Sequence, residues 1–240
     1  MSAIQKLPIG TFVNMATVVI GGLIGLSIAN ALPESLDQII SQAIGLGVLI
    51  IGFQMALKLP ESFLLVFILS LIFGGITGHL LHVDALLLNF ADLFKNLVAT
   101  NDNAFSEGLT TAFILFCVGS LTILGALEEG LQGKRNLLFV KAGLDGISAI
   151  IFTAKLGVGV IFSIFPMLLF QGGITILARQ LKKLMNETDM LLLSAVGGTL
   201  IIAIGINILE LATIQIENLL PALLFLFPFS RLWIKYGPSI

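Results

Sequence analysis

Polar positions are sparse in this chain, and their placement divides it into long apolar runs. Eight runs are long enough to cross about 30 Å of hydrocarbon as helices. They lie near 9–29, 38–57, 62–81, 108–127, 137–154, 157–179, 190–209 and 218–235. Between them come a turn at Asn30–Asp37 with Pro33 and two acids, a linker at Lys58, a basic turn at Gln132–Asn136 and a basic linker with Arg179, Lys182 and Lys183. The stretch Asp84–Asn103 is too polar to span. Leu86, Phe90, Leu93 and Leu97 line one side of it, and Asn89, Asp92 and Asn96 another. That pattern predicts an amphipathic helix lying in the membrane interface, with a packed loop helix as the alternative. The expected fold class is an all-α polytopic membrane protein of about eight transmembrane helices, in one membrane domain.

The polar residues inside the runs carry the remaining information. In the fifth, Lys141, Asp145, Ser148, Phe152 and Lys155 follow at steps of four, three, four and three, which puts them on one helical face. A charge near the centre of a membrane helix costs about 2.5–3.5 kcal/mol on insertion scales. Lys141 and Asp145 therefore need a partner or a use: a structural ion pair one turn apart, or a place on a solute pathway. The first run aligns Asn14, Thr17, Gly21 and Gly25; the second carries Ser41, Gly45, Gly52 and Gln54; the third holds Gly74-x-x-x-Gly78. Such small residues let helices approach closely. The fourth has Gly119, Ser120, Thr122 and Gly125, then Glu128-Glu129, read as a solvated helix end. The sixth carries Pro166 and then Gln171-Gly172-Gly173 near mid-membrane, predicting a broken helix lining a cavity, or a kink. The seventh holds Ser194, Gly197, Gly198, Gly205 and Asn207, and the eighth holds Pro221 and Pro228 before Arg231 and Lys235.

Composition narrows the class. The chain is 57% hydrophobic and 11% charged over 240 residues, with mean hydropathy +1.08. A soluble domain carries about 25% charged residues, so lipid is the expected partner. Net charge is -2 without a basic run, which argues against nucleic acid. The single cysteine, Cys117, excludes an internal disulfide and a cysteine-based metal site. His79 and His82, with Asp84 nearby, offer fewer ligands than a stable metal site wants; no metal and no cofactor are expected. The N-terminus lacks the layout of a cleaved signal peptide, so Ile9–Ile28 is expected to be retained. With eight spans, ten of the 12 Lys and Arg fall on the side of the N-terminus, and only Lys95 and Lys155 on the other. The positive-inside rule then puts both termini in the cytoplasm.

A repeat is legible at a displacement of 153: Ser41, Gly45, Gly52 and Gln54 correspond to Ser194, Gly198, Gly205 and Asn207. Glu61-Ser-Phe-Leu-Leu likewise resembles Glu217-Asn-Leu-Leu-Pro. Spans one to three thus resemble spans six to eight, dividing the domain into a first repeat unit at 9–81, an interfacial segment and central pair at 82–155, and a second unit at 157–235. Five spans separate the starts of the two units. An odd number inverts the second, and inverted repeats with polar, broken helices are a transporter signature.

Several motifs in order, GTFVN…GGLIGL, AIGLGVLIIGFQMAL, FCVGSLTILGALEEGL, GLDGISAIIF…LGVGV, LLFQGGITILA, SAVGGTLIIAIGINIL and NLLPALL, resemble the bacterial YqgA/YdfK-like integral membrane proteins. The resemblance covers nearly the whole chain. It implies a bacterial inner-membrane protein loosely described as a transport protein, without a substrate and without functional residues to carry over.

Three functions compete. A transporter or channel for a small solute or ion accounts for the repeat, the break and the charged fifth span. Pathway candidates are Asp145, Lys141, Ser148, Asn14, Gln54, Gln171, Gly172, Gly173, Asn207, Ser120 and Thr122. A structural or regulatory membrane subunit accounts for the glycine faces as partner contacts. An enzyme is not expected: there is no HExxH, no GxSxG and no acid pair with a histidine inside the spans. Glycine faces and the small bundle lead us to expect a homodimer.

Overall fold

The computed structural model describes residues 7–29, 37–86, 89, 105–117, 120–178, 180 and 186–236. Among them every regular element is helical. In chain order these are α1 (Ile9–Ala29), α2 (Asp37–Ala56), α3 (Leu64–Leu80, entered through a 3-10 turn at Glu61–Phe63), α4 (Phe105–Cys117), α5 (Ser120–Gln132) and α6 (Asn136–Leu156). Then come α7, a composite running Gly159–Ile176, α8 (Glu187–Ile208), and α9, which begins at Ile216–Leu219 and continues as Ala222–Tyr236.

Six helices are long and apolar enough to cross a membrane: Ile9–Ala29, Glu61–Leu80, Asn136–Leu156, Gly159–Ile176, Glu187–Ile208 and Ile216–Tyr236. Each falls on one predicted span. The other two predicted spans take different forms. The apolar part of α2 is the shorter Ser41–Ala56, and α4 and α5 meet at 59°. The turn expected at Asn30–Asp37 and nearly all of the amphipathic stretch Asp84–Asn103 lie outside the described residues, as does most of the basic linker after α7.

Local chemistry sets several ends. α6 stops at Gly157, whose φ of 73° lies in the left-handed region that glycine adopts without steric cost. α8 starts in a capping box: the Asn186 side chain accepts from Asp189 N at 2.8 Å, and Asn186 N donates to Asp189 Oδ2 at 2.9 Å.

The residues form two compact units, Met1–Ile40 with Ala91–Met185 and Ser41–Phe90 with Asn186–Ile240. In the first unit α1 packs along α6. A Cβ on Gly10 would meet Leu138, one on Gly21 the Gly146 carbonyl, and one on Gly25 the Ile150 carbonyl. Both indices rise together, so α1 and α6 run parallel. α4 and α5 pack on α7 in the same sense, with Gly108 against Val160 and Gly130 against Thr175.

In the second unit α2 lies against α8 and α3 against α9, and here the indices run in opposite directions. A Cβ on Gly52 would stand 2.8 Å from Gly198 O, and one on Gly205 would stand 3.1 Å from Gly45 O. Gly74 faces Ala222 and Gly78 faces Asn218. Both pairs are antiparallel. The glycine faces read as packing motifs are therefore helix contacts within the chain.

Candidate functional site

The Pro166 and Gln171-Gly172-Gly173 signals shape α7. Proline has no N–H to bond four residues back, and the helix pauses at Ser163, between Gly159–Phe162 and Ile164–Met167. The predicted break at Gln171–Gly173 is instead a change of winding. Leu168–Gly172 forms a π-helical turn, and Gly173–Ile176 resumes the α-helix. Wider winding of this kind rotates one side chain out of register and recurs at functional sites. Gln171 lies in this turn and is fully buried.

Gln171 meets α1 in the first unit, and Asn14 of α1 links it to α6. Asn14 Nδ2 donates to Gln171 Oε1 at 3.1 Å and to Asp145 Oδ2 at 2.8 Å. Lys141 Nζ donates to the same Asp145 oxygen and forms an ion pair with it. Asn14 and Gln171 have no exposure, Lys141 has 5% and Asp145 7%. Four of the sequence-predicted residues, from three helices, thus form one buried polar cluster. Hydrogen bonds to a charged group contribute about 1.5–3 kcal/mol each, which offsets part of the cost of holding the two charges in apolar surroundings.

The cluster has bonding capacity left over. Asn14 Oδ1, Gln171 Nε2 and, one turn before Asn14 on α1, Thr11 Oγ1 are buried without a hydrogen-bond partner. Buried polar atoms are nearly always bonded to protein or water, and groups left unpaired mark places where something else binds or strain is held. Thr11 was not among the sequence candidates. Its position three before Asn14, on the same helical face, was the available signal.

The remaining candidates lie elsewhere. Ser148 is half-buried on α6, next along from the cluster; Gly172 closes the π-turn that holds Gln171, and Gly173 opens the α-helix after it. Thr122 Oγ1 donates to Phe116 O at 3.1 Å, tying α5 to α4, and Ser120 opens α5. Gln54 is exposed on α2 in the second unit. Asn207 uses both ends of its amide on one residue, donating to Ile214 O at 2.9 Å and accepting from Ile214 N at 2.8 Å. It fastens the turn after α8. Its chemistry there is that of a turn clamp.

One expectation is corrected. Glu129 is not a solvated helix end: it is 2% exposed. Its carboxylate accepts the Gly10 N–H at 3.0 and 3.2 Å and pairs with Arg135 Nε at 2.7 Å. The reason is the free N–H groups and positive end of the α1 dipole, which make a buried carboxylate favourable there. Asp189 is buried in the second unit in a comparable setting, bonded by Ser230 Oγ at 3.1 Å and Arg231 Nη2 at 2.7 Å. The histidine pair stands with ring centroids 6.4 Å apart, and among the described residues no group of three or more His, Cys, Asp or Glu could hold a metal.

Comparison with known proteins identifies relatives along the whole chain. It is 32% identical over 217 residues to the uncharacterized membrane protein YdfK of Bacillus subtilis (strain 168), covering 90% of this chain and 92% of that one. It is 30% identical over 230 residues to the uncharacterized protein YqgA of Escherichia coli (strain K12), covering 94% and 97%. No solved structure matches. Residues 9–231 match the family described as "Protein of unknown function (DUF554)", and with relatives alike over nine-tenths of their length the chain belongs to that family of multi-helix membrane proteins.

Proposed function

We propose that this protein moves a small solute or ion across the bacterial inner membrane, with Asn14, Lys141, Asp145 and Gln171 at its binding site. The observation that carries this is the buried polar cluster with unpaired atoms at Asn14 Oδ1 and Gln171 Nε2. Polar groups inside a membrane bundle are expensive, and those kept with spare bonding capacity mark solute or ion pathways. No bond-making or bond-breaking chemistry is part of the proposal.

Parity supports eight crossings, which put both termini on one side, and the basic bias makes that side the cytoplasm. A chain that crosses repeatedly alternates direction, so α6, parallel to α1, is an odd-numbered crossing. One certain span, α3, lies between them. α2 and the α4–α5 pair therefore both cross or both do not. α2 runs antiparallel along the span α8, with Gly45 against Leu209 and Gly198 against Ala56. A helix aligned with a spanning helix for three turns crosses with it, and α4–α5 must then cross as well.

The same contacts support an inverted repeat. Under the 153-residue displacement Gly45 maps to Gly198, Leu49 to Ile202, Gly52 to Gly205 and Ala56 to Leu209. The contact Gly52–Ile202 then maps onto Leu49–Gly205, and Gly45–Leu209 onto Ala56–Gly198; all four occur. Reciprocal pairing of this kind is what a two-fold axis across two antiparallel helices produces. In the first unit the buried positions Gly10, Asn14, Val18 and Gly21 of α1 recur 157 residues on as Met167, Gln171, Thr175 and Ala178. Asn14 and Gln171 become equivalents that bond to each other across such an axis. Substrate sites of inverted-repeat transporters lie at this place.

Flux in proteoliposomes tests the proposal, with a panel of ions, amino acids and small anions as substrates. Uptake above protein-free vesicles that is lost in Asn14→Ala supports it. A tight, folded protein that moves nothing on the panel favours a structural or regulatory subunit.

A further inference from the structure

Hydrogen bonds in the first unit's cluster all point one way. A carboxylate paired with an ammonium only accepts, so Asn14 turns its Nδ2 toward Asp145. The second hydrogen of that Nδ2 goes to Gln171 Oε1. Both donors of the Asn14 amide are thereby used. Its Oδ1 remains a free acceptor, and Gln171 Nε2 remains a free donor. The N and O of one amide stand about 2.3 Å apart, so across the 3.1 Å bond Oδ1 and Nε2 are separated by about 8 Å or less. One small molecule with a hydrogen bond at each end spans that distance.

Beside these atoms α7 carries a glycine that no close contact demands. A Cβ on Gly21, Gly22 or Gly25 of α1, Gly130 of α5 or Gly159 of α7 would come within 2.4 Å of a neighbouring atom. Gly172 is also buried, yet a Cβ there would stand 3.4 Å from Leu168 Cδ1 of its own helix, 3.7 Å from Pro8 Cγ and 3.8 Å from Thr11 Cγ2. The missing methyl group leaves room between α1 and α7. That room adjoins Gln171 in the chain and Thr11 in space, and Thr11 Oγ1 is the third unpaired atom. Space and unpaired polar atoms thus coincide at one contact between two helices.

We infer that this contact binds one small uncharged amide-type solute, whose carbonyl accepts from Gln171 Nε2 and whose N–H donates to Asn14 Oδ1. The inference deepens the transport reading and rests on it. Lys141 already neutralises Asp145, so a net charge brought here would stand uncompensated in apolar surroundings. Hydrogen-bond polarity selects in the same sense. A carboxylate offers no donor to Asn14, and a guanidinium offers no acceptor to Gln171. The Thr11 hydroxyl can give or take a third bond. All three unpaired atoms are shielded from solvent. The described conformation is therefore closed, and the solute enters where α7 withdraws from α1.

The test uses the purified full chain in micelles and two pairs of probes alike in shape: acetamide with acetate, and N-methylurea with methylguanidinium. Saturation transfer from the protein to the probe methyl group, read by NMR, measures binding. Acetamide and N-methylurea receive it and their charged counterparts do not. Gly172→Ala fits the described packing and keeps or raises the thermal midpoint, since alanine is the better helix former, yet it fills the room and reduces transfer to that of protein-free micelles. Gly143→Ala, on the exposed face of α6 with nothing within 4 Å of the new methyl group, leaves transfer unchanged. Thr11→Val keeps shape and removes the hydroxyl, weakening binding by about 2–10-fold. The inference is overturned if no uncharged probe binds, as water alone in the space would require, if the charged probes bind as well as the uncharged ones, or if folded Gly172→Ala and Thr11→Val both bind as the wild type does. Flux of an ion in proteoliposomes without acetamide or N-methylurea binding removes this inference and leaves the transport reading standing. Binding of either probe without flux of any solute does the reverse.

Discussion

Gly52 tests whether α2 is clamped lengthwise to α8. A methyl group placed there would stand 2.8 Å from Gly198 O, 2.8 Å from Ile202 N and 2.7 Å from Ile202 Cγ1. Two of those atoms are backbone and cannot rotate away. A comfortable carbon–oxygen contact is about half an ångström longer, so Gly52→Ala must push the two helices apart along the contact. Overpacking of this kind costs about 1–3 kcal/mol, offset by up to about 1 kcal/mol for replacing glycine with alanine in a helix. The same helix supplies its own control, because a methyl group on Gly47 would meet nothing within 4 Å. Gly47→Ala keeps only the favourable part. The two variants should therefore differ by about 1–3 kcal/mol, with Gly52→Ala the less stable. Unfolding by SDS titration in mixed micelles, followed by circular dichroism and size exclusion, measures the difference. If Gly52→Ala is as stable as Gly47→Ala, α2 is not packed on α8 as described, and the parity argument for eight crossings loses its second step.

Other predictions follow from the same geometry. The basic bias does not separate eight crossings from six, since removing α2 and α4–α5 together only exchanges Lys58 with Lys95 across the membrane. Single cysteines at Ser35, Glu61, Asn101, Asn136 and Asn186 in a Cys117→Ser background do separate them. With eight crossings an impermeant thiol reagent labels 35 and 101 in intact cells, whereas labelling at 35 and 61 refutes eight in favour of six. Asp145→Asn leaves the Lys141 ammonium buried without its partner, a loss of about 3–5 kcal/mol, and lowers the yield of monodisperse protein. Adding Lys141→Met restores much of that yield, and a double variant no better than the single one speaks against the ion pair as the source of the loss. Glu129→Ala strips the buried Gly10 N–H of its acceptor, costing about 1–3 kcal/mol. An unchanged SDS midpoint for that variant would mean that water replaces the carboxylate.

How much of this could be read from the sequence depends on the range of the interaction. Helical spacing put Lys141 and Asp145 on one face because both belong to one helix, and the pair is there. Glycine spacing marked the close contacts for the same reason. Which glycine meets which, Gly52 with Gly198 and Gly45 with Gly205, joins distant parts of the chain, and no spacing within one helix records it. Glu129 was misread because its partner, the Gly10 N–H, is a backbone group 119 positions away, and no side-chain pattern records it. Asn207 was read as a pathway residue matched to Gln54, and its amide is satisfied by Ile214, beyond the end of its own helix. Gly172-Gly173 signalled weak helix but not the direction of the departure, since a break and a π-turn draw on the same residues.

The position of Asn14 and Gln171 has a consequence for how the proposed site works. If the two are repeat equivalents, the bond between them lies on the axis that interchanges the halves of the first unit. They are not identical side chains: Gln171 is one methylene longer, and it stands on a π-turn where Asn14 stands on a regular helix. The ion pair is also one-sided, since Lys141 and Asp145 both come from α6, which packs along α1, while α7 packs on α4 and α5. The scaffold of the proposed repeat would thus carry an asymmetric charge. A ligand at Asn14 would be held by α1 and, through Asp145, by α6, with Gln171 the single group reaching it from α7. Movement of α7 alone would then break one hydrogen bond, Asn14 to Gln171, and leave the carboxylate with both of its donors. On the proposed reading, α7 with its Ser163 pause and π-turn is the element free to move, and α1 with α6 is the frame that keeps the ligand.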